Sequence, residues 1–312
     1  MRAKMRLTDN TTVGFVGVGN MGQPMVSNLV KAGWRVAIYD TDMDRTAAFA
    51  SRIGCGFVTS AAELGDACDV VILMLPDGKI VRRVVLGADG SDSLLPGLSQ
   101  GATIIDMSSS APTGTRELGA ELDAKGIDMV DAPVSGGVKG AVAGTLAIMV
   151  GGSERAAQDI DPILAAMGRR FHVGPLGTGH AVKVLNNYVS AAGLAATAEA
   201  LLVARRFGVE TETLIDVLNA STGRNNSTEN KFKQYVLNEA YNSGFSLDLM
   251  VKDLTLAMEV ADACGVEAQL GHSCLNLWRE AQSWTGRNAD HTELARFVFK
   301  DDAGSVSPDA QA

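Results

Sequence analysis

The stretch Val13-Gly14-Phe15-Val16-Gly17-Val18-Gly19-Asn20-Met21-Gly22 decides the fold of this chain. It is a short apolar run that ends in a G-x-G-x-x-G pattern, and a helical pattern follows at 23–32. In such a unit Gly17 allows the tight turn, Gly19 lets a pyrophosphate approach the backbone, and Gly22 lets the helix pack against the strand. The backbone amides from Gly17 to Gly22, including those of Val18, Asn20 and Met21, are therefore predicted to bind dinucleotide phosphates.

An acidic residue at the end of the next strand indicates which dinucleotide binds. Asp40 follows the β-rich run 35–39 and lies eighteen residues beyond Gly22. A carboxylate there accepts hydrogen bonds from the adenosine ribose hydroxyls, and its charge repels a 2′-phosphate. NAD is therefore favoured over NADP, although Arg45 could weaken that preference. The alternative is a glycine-rich turn that binds no ligand.

Strand and helix patterns alternate only in the first half of the chain, and 312 residues predict two domains of ordinary size. Runs with apolar residues on both faces predict buried parallel strands at 13–17, 35–39, 70–75, 102–106, 128–132 and 145–150. Helical patterns follow at 178–207, 211–219, 228–239, 247–264 and 271–285. We therefore predict an α/β Rossmann-type domain with a doubly wound, mostly parallel sheet at 12–176, then a long interdomain helix and an all-helical domain at 177–300, and a disordered tail at 301–312.

Composition narrows the classes of partner. The 27 Lys and Arg against 36 Asp and Glu give a formal charge of −9, which disfavours nucleic acid and anionic membrane. The charge-free helical stretch at 184–198 is shorter than the roughly 20 apolar residues of a membrane span. Four dispersed cysteines and no secretory signal predict reduced thiols and a cytoplasmic location. Asp, Glu and His do not cluster at ligand spacing, so no metal is expected.

Two loops at the carboxyl ends of predicted strands are candidates for the ligand cleft. Leu75 and Pro76 follow the run 70–74, and Ser108, Ser109 and Ser110 follow the run 102–106. Ligands of open α/β sheets bind at that edge of the sheet. The less favoured alternative for each segment is a surface loop or a helix cap.

A second glycine cluster follows a later strand. Ser135, Gly136 and Gly137 lie within the stretch 131–145. Such a turn exposes consecutive backbone amides beside a hydroxyl, which suits a carboxylate ligand. A tight turn without a ligand is the alternative, and the position after a sheet strand favours substrate binding.

The third cluster leads into the long helix and carries the candidate acid/base. Gly179, Lys183 and Asn187 are spaced by four residues and share one helix face. A lysine among alanine, valine and leucine is unusual, because an uncompensated buried ammonium is costly. Gly179 is expected to leave room for a flat nicotinamide ring, and Asn187 to hold the lysine or a substrate oxygen. The alternatives are a surface lysine, or His180 as the acid/base.

Four motifs together resemble the 3-hydroxyisobutyrate dehydrogenase family, which is related to tartronate semialdehyde reductases and 6-phosphogluconate dehydrogenase. They are FVGVGNMG at 15–22, DAPVSGG at 131–137, GTGHAVKVLNN at 177–187 and LMVKDLTLA at 249–257. The resemblance implies that Lys183 is catalytic, that Ser135, Gly136 and Gly137 hold the substrate carboxylate, and that Asn187 orients substrate and lysine. It also implies that Leu75, Pro76 and Ser109 line the dinucleotide site, that Lys252 approaches the cofactor from the helical domain, and that the chain forms a homodimer or homotetramer.

These features favour an oxidoreductase that transfers a hydride between NAD and a short 3-hydroxy acid to give the semialdehyde. The segment 221–227 is similar to a family loop rich in serine, but Asn225 and Asn226 replace bulkier residues there. A tartronate or sulfolactate-type semialdehyde reductase is therefore an alternative. An alternative of another class is a non-catalytic dinucleotide-binding protein, which would have no use for Lys183.

Overall fold

The structure is a computed structural model that describes residues 7–8, 10–88, 90–286 and 288–302. The described residues form two compact units, which divide after Lys183. This division falls inside the long helix, and the sequence places the boundary at that helix's start, at 176/177.

The first unit is built on one sheet, and its strand order is β3-β2-β1-β4-β5-β6-β8-β7, with β9 beside β8. The strands are β1 Thr12–Val16, β2 Arg35–Tyr39, β3 Gly56–Phe57, β4 Val70–Leu73, β5 Thr103–Asp106, β6 Asp128–Asp131, β7 Val134–Ser135, β8 Leu146–Gly151 and β9 Gly168–Gly174. Strands β1 to β6 pair in parallel, while β8 runs antiparallel to β6 and β7. The predicted doubly wound, mostly parallel sheet is confirmed.

Three strands have no counterpart among the predicted ones. Strands β3 and β7 contain two residues each, too few for a pattern to show in the sequence. Strand β9 reads GRRFHVG, and most of its residues are exposed or half-buried. It pairs along its length with β8. Its backbone pairing therefore places it in the sheet without the apolar run that marks a central strand.

Helices cover both faces of this sheet. They are α1 Gly22–Lys31, α2 Met43–Ile53, α3 Ala61–Ala67, α4 Gly78–Leu86, α5 Pro112–Asp123, α6 Gly137–Ala143, α7 Glu154–Asp159 and α8 Asp161–Ala165. Alternate strand residues enter separate cores: Phe15 and Ile72 pack in one, and Val16 and Leu73 in the other. Burial on both faces is the reason that these strands are continuously apolar in the sequence.

The described part of the second unit consists of helices and connecting loops, with one isolated β-bridge between Ser246 and Asp290. Helix α9 Thr178–Phe207 leads into it, followed by α10 Thr211–Ala220, α11 Asn226–Asn230, α12 Leu247–Ala263, α13 Gln269–Thr285 and α14 Glu293–Val298. Its core includes the fully buried Trp278, Phe232 and Leu254. By length and composition alone α9 could cross a bilayer. In the structure its Val184, Leu194 and Leu201 belong to this core.

The predicted helix at 228–239 is wrong as one continuous α-helix. Helix α11 ends at Asn230, and Phe232–Val236 form a π-helical turn. Its backbone bond runs from the Leu237 amide to the Phe232 carbonyl, 2.8 Å away. Phe232 and Val236 are both buried. These two buried residues are four positions apart, as on one face of an α-helix, but the backbone between them forms a π-helical turn.

The disordered tail is predicted to begin at 301, but the side chain of Asp302 forms ion pairs with the end of α9. Its carboxylate lies 3.2 Å from Arg205 Nη1 and 3.2 Å from Arg206 Nε, both at the end of α9. Residues 303–312 lie outside the described part of the chain.

A partly buried carboxylate joins the loop before α12 to the start of α14. Asp290 accepts hydrogen bonds from the Ser243 hydroxyl at 2.9 Å, the Gly244 amide at 2.9 Å and the Thr292 hydroxyl at 2.6 Å. Burial opposes its ionisation, but interactions with His291 and Thr292 prevail and lower the pKa of Asp290. The ionised carboxylate therefore stabilises the folded state.

We expect Asp290→Asn to lower the free energy of unfolding by about 1–2 kcal/mol near neutral pH, because hydrogen bonds to a charged acceptor are lost. A carboxyl group with a depressed pKa stabilises the fold above its unfolded value of about 3.9 and loses that effect as the pH falls. The difference between variant and parent should thus shrink below about pH 4. Urea unfolding across this range measures it. Asp301→Asn, at an exposed position, is the control, and a difference independent of pH would contradict the prediction.

Candidate functional site

The glycine-rich turn after β1 has space where a ligand would need it. Gly17 has φ +96°, and a Cβ there would meet the Met74 carbonyl oxygen. A Cβ on Gly22 would meet the carbonyl oxygen of Gly17. A Cβ on Gly19 meets no described atom within 4 Å. The outer glycines are thus required by backbone packing, and Gly19 borders open space of the kind that a pyrophosphate would occupy.

Asp40 is fixed beside this turn. Its Oδ2 accepts the Val18 amide at 2.8 Å, and its Oδ1 accepts the Asp42 amide at 3.1 Å. Arg45 Nη2 lies 3.5 Å from Asp40 Oδ2, and the Arg45 side chain is about half exposed. The carboxylate therefore keeps one orientation next to the predicted phosphate site, with a half-exposed guanidinium as its neighbour.

The loop after β5 is organised by a buried carboxylate. Asp106 Oδ1 accepts the Ser108 amide at 2.9 Å, and its Oδ2 accepts the Ser110 hydroxyl at 2.9 Å. Ser108 and Ser110 are buried as a result, while Ser109 is half-buried. The Leu75 amide donates to Ser108 Oγ at 3.0 Å. The two loops predicted to line the dinucleotide site are thus tied to each other, with Pro76 exposed beside them.

The turn between β7 and α6 requires glycine. Gly136 has φ +129° and Gly137 has φ +60°, both in the region that disfavours side chains. Both glycines are exposed, Ser135 is half-buried, and a Cβ on Gly137 meets no described atom within 4 Å. This geometry presents backbone amides and a hydroxyl at an accessible turn, which a carboxylate ligand needs.

Lys183 is buried near the start of α9, with 9% of its surface exposed. The interpretation of Gly179 as room for a nicotinamide ring is wrong, because its Cβ position is occupied by backbone. A side chain there would meet the Met149 carbonyl oxygen and lie 2.8 Å from the Asp131 carbonyl oxygen. Gly179 therefore allows the first turn of α9 to approach the ends of β6 and β8.

The second unit holds Asn187 in a polar cluster that was not predicted from the sequence. Asn187 Nδ2 donates to Asp253 Oδ2 at 2.6 Å, and Asn187 Oδ1 accepts from Asn186 at 3.2 Å. Asp253 Oδ1 is buried, has no hydrogen-bond partner among the described residues, and lies 3.6 Å from Lys252 Nζ. The sequence contained one signal for this cluster, because Asp253 directly follows Lys252 within an otherwise apolar helical stretch. Asn187 is thus oriented by Asp253.

Part of the segment 221–227 has a structural role and is not available to a ligand. Asn225 caps α11 through the amides of Ser227 and Thr228, and its amide nitrogen donates to Thr197 Oγ1 at 3.2 Å. Arg224 is exposed and lies 3.7 Å from Glu229. Asn225 is therefore used inside the helical unit, and Arg224 remains accessible to a ligand. Among the described residues, no three His, Cys, Asp or Glu side chains are placed to hold a metal ion.

Comparison with known proteins identifies the family. Residues 12–177 match the NAD binding domain of 6-phosphogluconate dehydrogenase, and residues 177–298 match the NAD-binding model of NADP-dependent 3-hydroxyisobutyrate dehydrogenase. The chain belongs to the 3-hydroxyisobutyrate dehydrogenase family. Its structure is similar to the Mycobacterium tuberculosis 3-hydroxyisobutyrate dehydrogenase solved with L-serine, with a TM-score of 0.84, 35% identity, and coverage of 92% of this chain and 99% of that chain.

Two curated relatives act on different hydroxy acids by name. The 2-(hydroxymethyl)glutarate dehydrogenase of Eubacterium barkeri is 39% identical over 79% of this chain and 81% of its own length. The NAD-dependent L-serine dehydrogenase of Pseudomonas aeruginosa is 36% identical over 86% of this chain and 91% of its own length. The predicted family and the NAD cofactor are confirmed, while the preference for NAD over NADP and the individual site residues stay predictions.

We expect Gly19→Ala to weaken NADH binding about tenfold or more while the melting temperature without cofactor stays within about 2 °C, because the added methyl group enters only ligand space. Gly22→Ala is the matched comparison. It should destabilise the protein by about 1–3 kcal/mol, because its methyl group meets the Gly17 carbonyl. NADH fluorescence titration and thermal unfolding separate the two effects. Normal NADH affinity in Gly19→Ala would contradict the phosphate assignment.

Asp40→Asn should lower the preference for NAD over NADP, measured as the ratio of kcat/KM values, by about tenfold. Asparagine can still accept the Val18 amide, but the charge that repels a 2′-phosphate is gone and Arg45 is released to bind one. Asp42→Asn, which keeps an acceptor at the α2 cap, is the control and should leave the ratio within threefold. An unchanged ratio in Asp40→Asn would show that this carboxylate does not select the cofactor.

Proposed function

We propose that this chain oxidises a short 3-hydroxy acid to its semialdehyde with NAD, using Lys183 as the general acid/base. Family membership supports the NAD-dependent oxidation of a hydroxy acid at its CH–OH group. The observation that carries the residue assignment is the burial of Lys183 within a family motif of a dehydrogenase. A non-catalytic binding protein gains nothing from a buried lysine there.

The names of the similar proteins indicate a shared substrate core. 3-Hydroxyisobutyrate, L-serine and 2-(hydroxymethyl)glutarate each carry a primary alcohol one carbon away from the carbon that bears a carboxylate. They differ in the group on the middle carbon, which is a methyl, an ammonium or a carboxyethyl group. We infer that this chain recognises the same carboxylate and alcohol, and that contacts to the middle-carbon substituent select the substrate.

Side chains and backbone amides of this chain bind the substrate and transfer its hydroxyl proton. The Ser135 hydroxyl and the amides at Gly136 and Gly137 bind the carboxylate. The neutral amine of Lys183 removes the hydroxyl proton as the carbinol C–H bond breaks and the C=O bond forms. In the reverse direction the Lys183 ammonium returns that proton to the aldehyde oxygen. NAD, held by the turn at 17–22 and by Asp40, supplies the hydride acceptor when it is bound.

The exposed apolar side chains of the helical unit support a homodimer or homotetramer. Val189, Val203 and Phe207 on α9 are 68%, 68% and 87% exposed. Burial of such residues between copies would remove apolar surface from water. Light scattering after gel filtration measures the state. A cytoplasmic location stays a prediction.

A substrate panel tests the function. The purified protein is assayed with NAD and NADP on 3-hydroxyisobutyrate, L-serine, 2-(hydroxymethyl)glutarate, glycerate, threonate and sulfolactate, with reduced cofactor followed by absorbance. Tartronate semialdehyde and sulfolactaldehyde reduction are tested with NADH. We expect turnover on at least one of 3-hydroxyisobutyrate, L-serine and 2-(hydroxymethyl)glutarate. The highest kcat/KM of the panel should belong to one of these three acids. Glycerate oxidation and tartronate semialdehyde reduction are the two directions of one reaction, so the highest kcat/KM on this pair, or on sulfolactaldehyde, would support the reductase alternative. Binding of NADH without any turnover would support the non-catalytic one.

Lys183→Ala should lower kcat by a factor of about 10²–10⁴, the usual contribution of general acid/base catalysis, and leave the Kd for NADH within threefold. Lys125→Ala removes an exposed lysine of the same unit and should leave kcat unchanged. Near-normal turnover in Lys183→Ala would refute the assignment.

A further inference from the structure

The end of β6 anchors the start of the long helix. Asp131 is fully buried, and its Oδ1 accepts the Gly177 amide at 2.7 Å. Its Oδ2 accepts the His180 amide at 2.7 Å. Amides in the first turn of a helix have no carbonyl partner within that helix, so a carboxylate stabilises them. Burial raises the pKa of Asp131, while the charge of His180 and these two amides act in the opposite direction. The first turn of α9 is therefore held in one place.

The imidazole of His180 is fixed at both nitrogens. Nδ1 lies 2.8 Å from Thr115 Oγ1, and Nε2 lies 3.1 Å from the Ser108 carbonyl oxygen. Because a carbonyl oxygen can only accept, Nε2 carries a hydrogen. The residue has no exposed surface. His180 thus has no access to a substrate, and its ring cannot rotate without breaking buried hydrogen bonds.

Two buried carboxylates flank the ring. Asp106 and Asp131 are partners in the register of the parallel pair β5 and β6. Asp106 Oδ2 lies 3.7 Å from Nε2, and Asp131 Oδ2 lies 3.7 Å from Nδ1 of His180. The imidazole therefore lies between the carboxylates at the ends of two neighbouring strands.

The same ring reaches the loops of the predicted dinucleotide site. Ser108, whose carbonyl contacts His180, accepts the Leu75 amide through its hydroxyl at 3.0 Å. A continuous set of contacts thus runs from the loop after β4, through Ser108, to the first turn of α9. Lys183 follows His180 by three residues, so the two occupy neighbouring positions on adjacent turns.

We propose that His180 is a positioning residue for Lys183. It sets the rotation and tilt of the first turns of α9 against the loops at 75–76 and 108–110, and so places the Lys183 amine relative to the bound cofactor. A displacement of about 1 Å between reacting groups can cost two orders of magnitude in rate. This inference rests on the proposed role of Lys183 as the acid/base.

The test compares His180→Leu with His180→Gln, because leucine removes both ring hydrogen bonds, whereas glutamine can donate to the Ser108 carbonyl and can still hydrogen-bond with the Thr115 hydroxyl. We expect His180→Leu to lower kcat about ten- to hundredfold, with the Kd for NADH and the KM for substrate within threefold. His180→Gln should recover kcat to within about threefold of the parent. His272→Leu, at an exposed histidine, is the control and should not change kcat.

The deciding measurement is a double-mutant cycle with Lys183→Ala. If His180 acts through the lysine, His180→Leu causes no further loss of kcat in the Lys183→Ala background. An equal loss in both backgrounds, or a tenfold weaker affinity for NADH in His180→Leu, would overturn the positioning role. Near-normal turnover in Lys183→Ala alone would instead refute the proposed acid/base, so the two failures are distinct.

Thr115→Val provides the same test if His180→Leu does not fold. It keeps the shape of a buried side chain and removes the hydrogen bond between Thr115 Oγ1 and Nδ1, together with the one that the hydroxyl donates to the Ala111 carbonyl within the same helix. We expect a three- to tenfold loss of kcat, again absent in the Lys183→Ala background. A loss that persists in that background would overturn the proposal.

Discussion

The carboxylate of Asp131 makes the interaction on which the candidate site depends. It accepts the amides of Gly177 and His180 and so joins the end of β6 to the first turn of α9. Gly179 permits this contact, because any side chain there would meet the backbone of the sheet. The helix that carries Lys183 therefore begins at a place set by the sheet, which also carries the predicted dinucleotide site.

The glycines of the chain serve two different physical purposes. Gly17, Gly22 and Gly179 allow backbone segments to approach each other, whereas Gly19 and Gly137 border open space. The sequence pattern G-x-G alone does not distinguish a glycine needed for packing from one that borders open space. The nature of the neighbouring atoms distinguishes a packing glycine from one that leaves room for a ligand, and those neighbours come from distant parts of the chain.

Within the helical unit, Asn187 illustrates how a polar residue of a motif is itself oriented. Its amide nitrogen donates to the buried Asp253, whose other oxygen lies near Lys252. Family resemblance singles out Lys252 in the motif at 249–257 as a functional residue. The direct contact with Asn187, however, is made by the neighbouring Asp253. A buried carboxylate is costly unless it is paired, so Asp253 and Asn187 depend on each other.

The sequence by itself determined the parallel sheet, the glycine-rich turn, the full extent of α9 and the family, because these depend on local spacing and on continuous apolar runs. Only the tertiary structure decided the role of His180, the packing function of Gly179, the pairing of Asn187 with Asp253 and the π-helical turn at 232–236. The first three depend on atoms far away in the sequence: Thr115 and Ser108 meet His180 across more than sixty residues. Periodicity reports which face of an element is buried, but not which buried group it will meet.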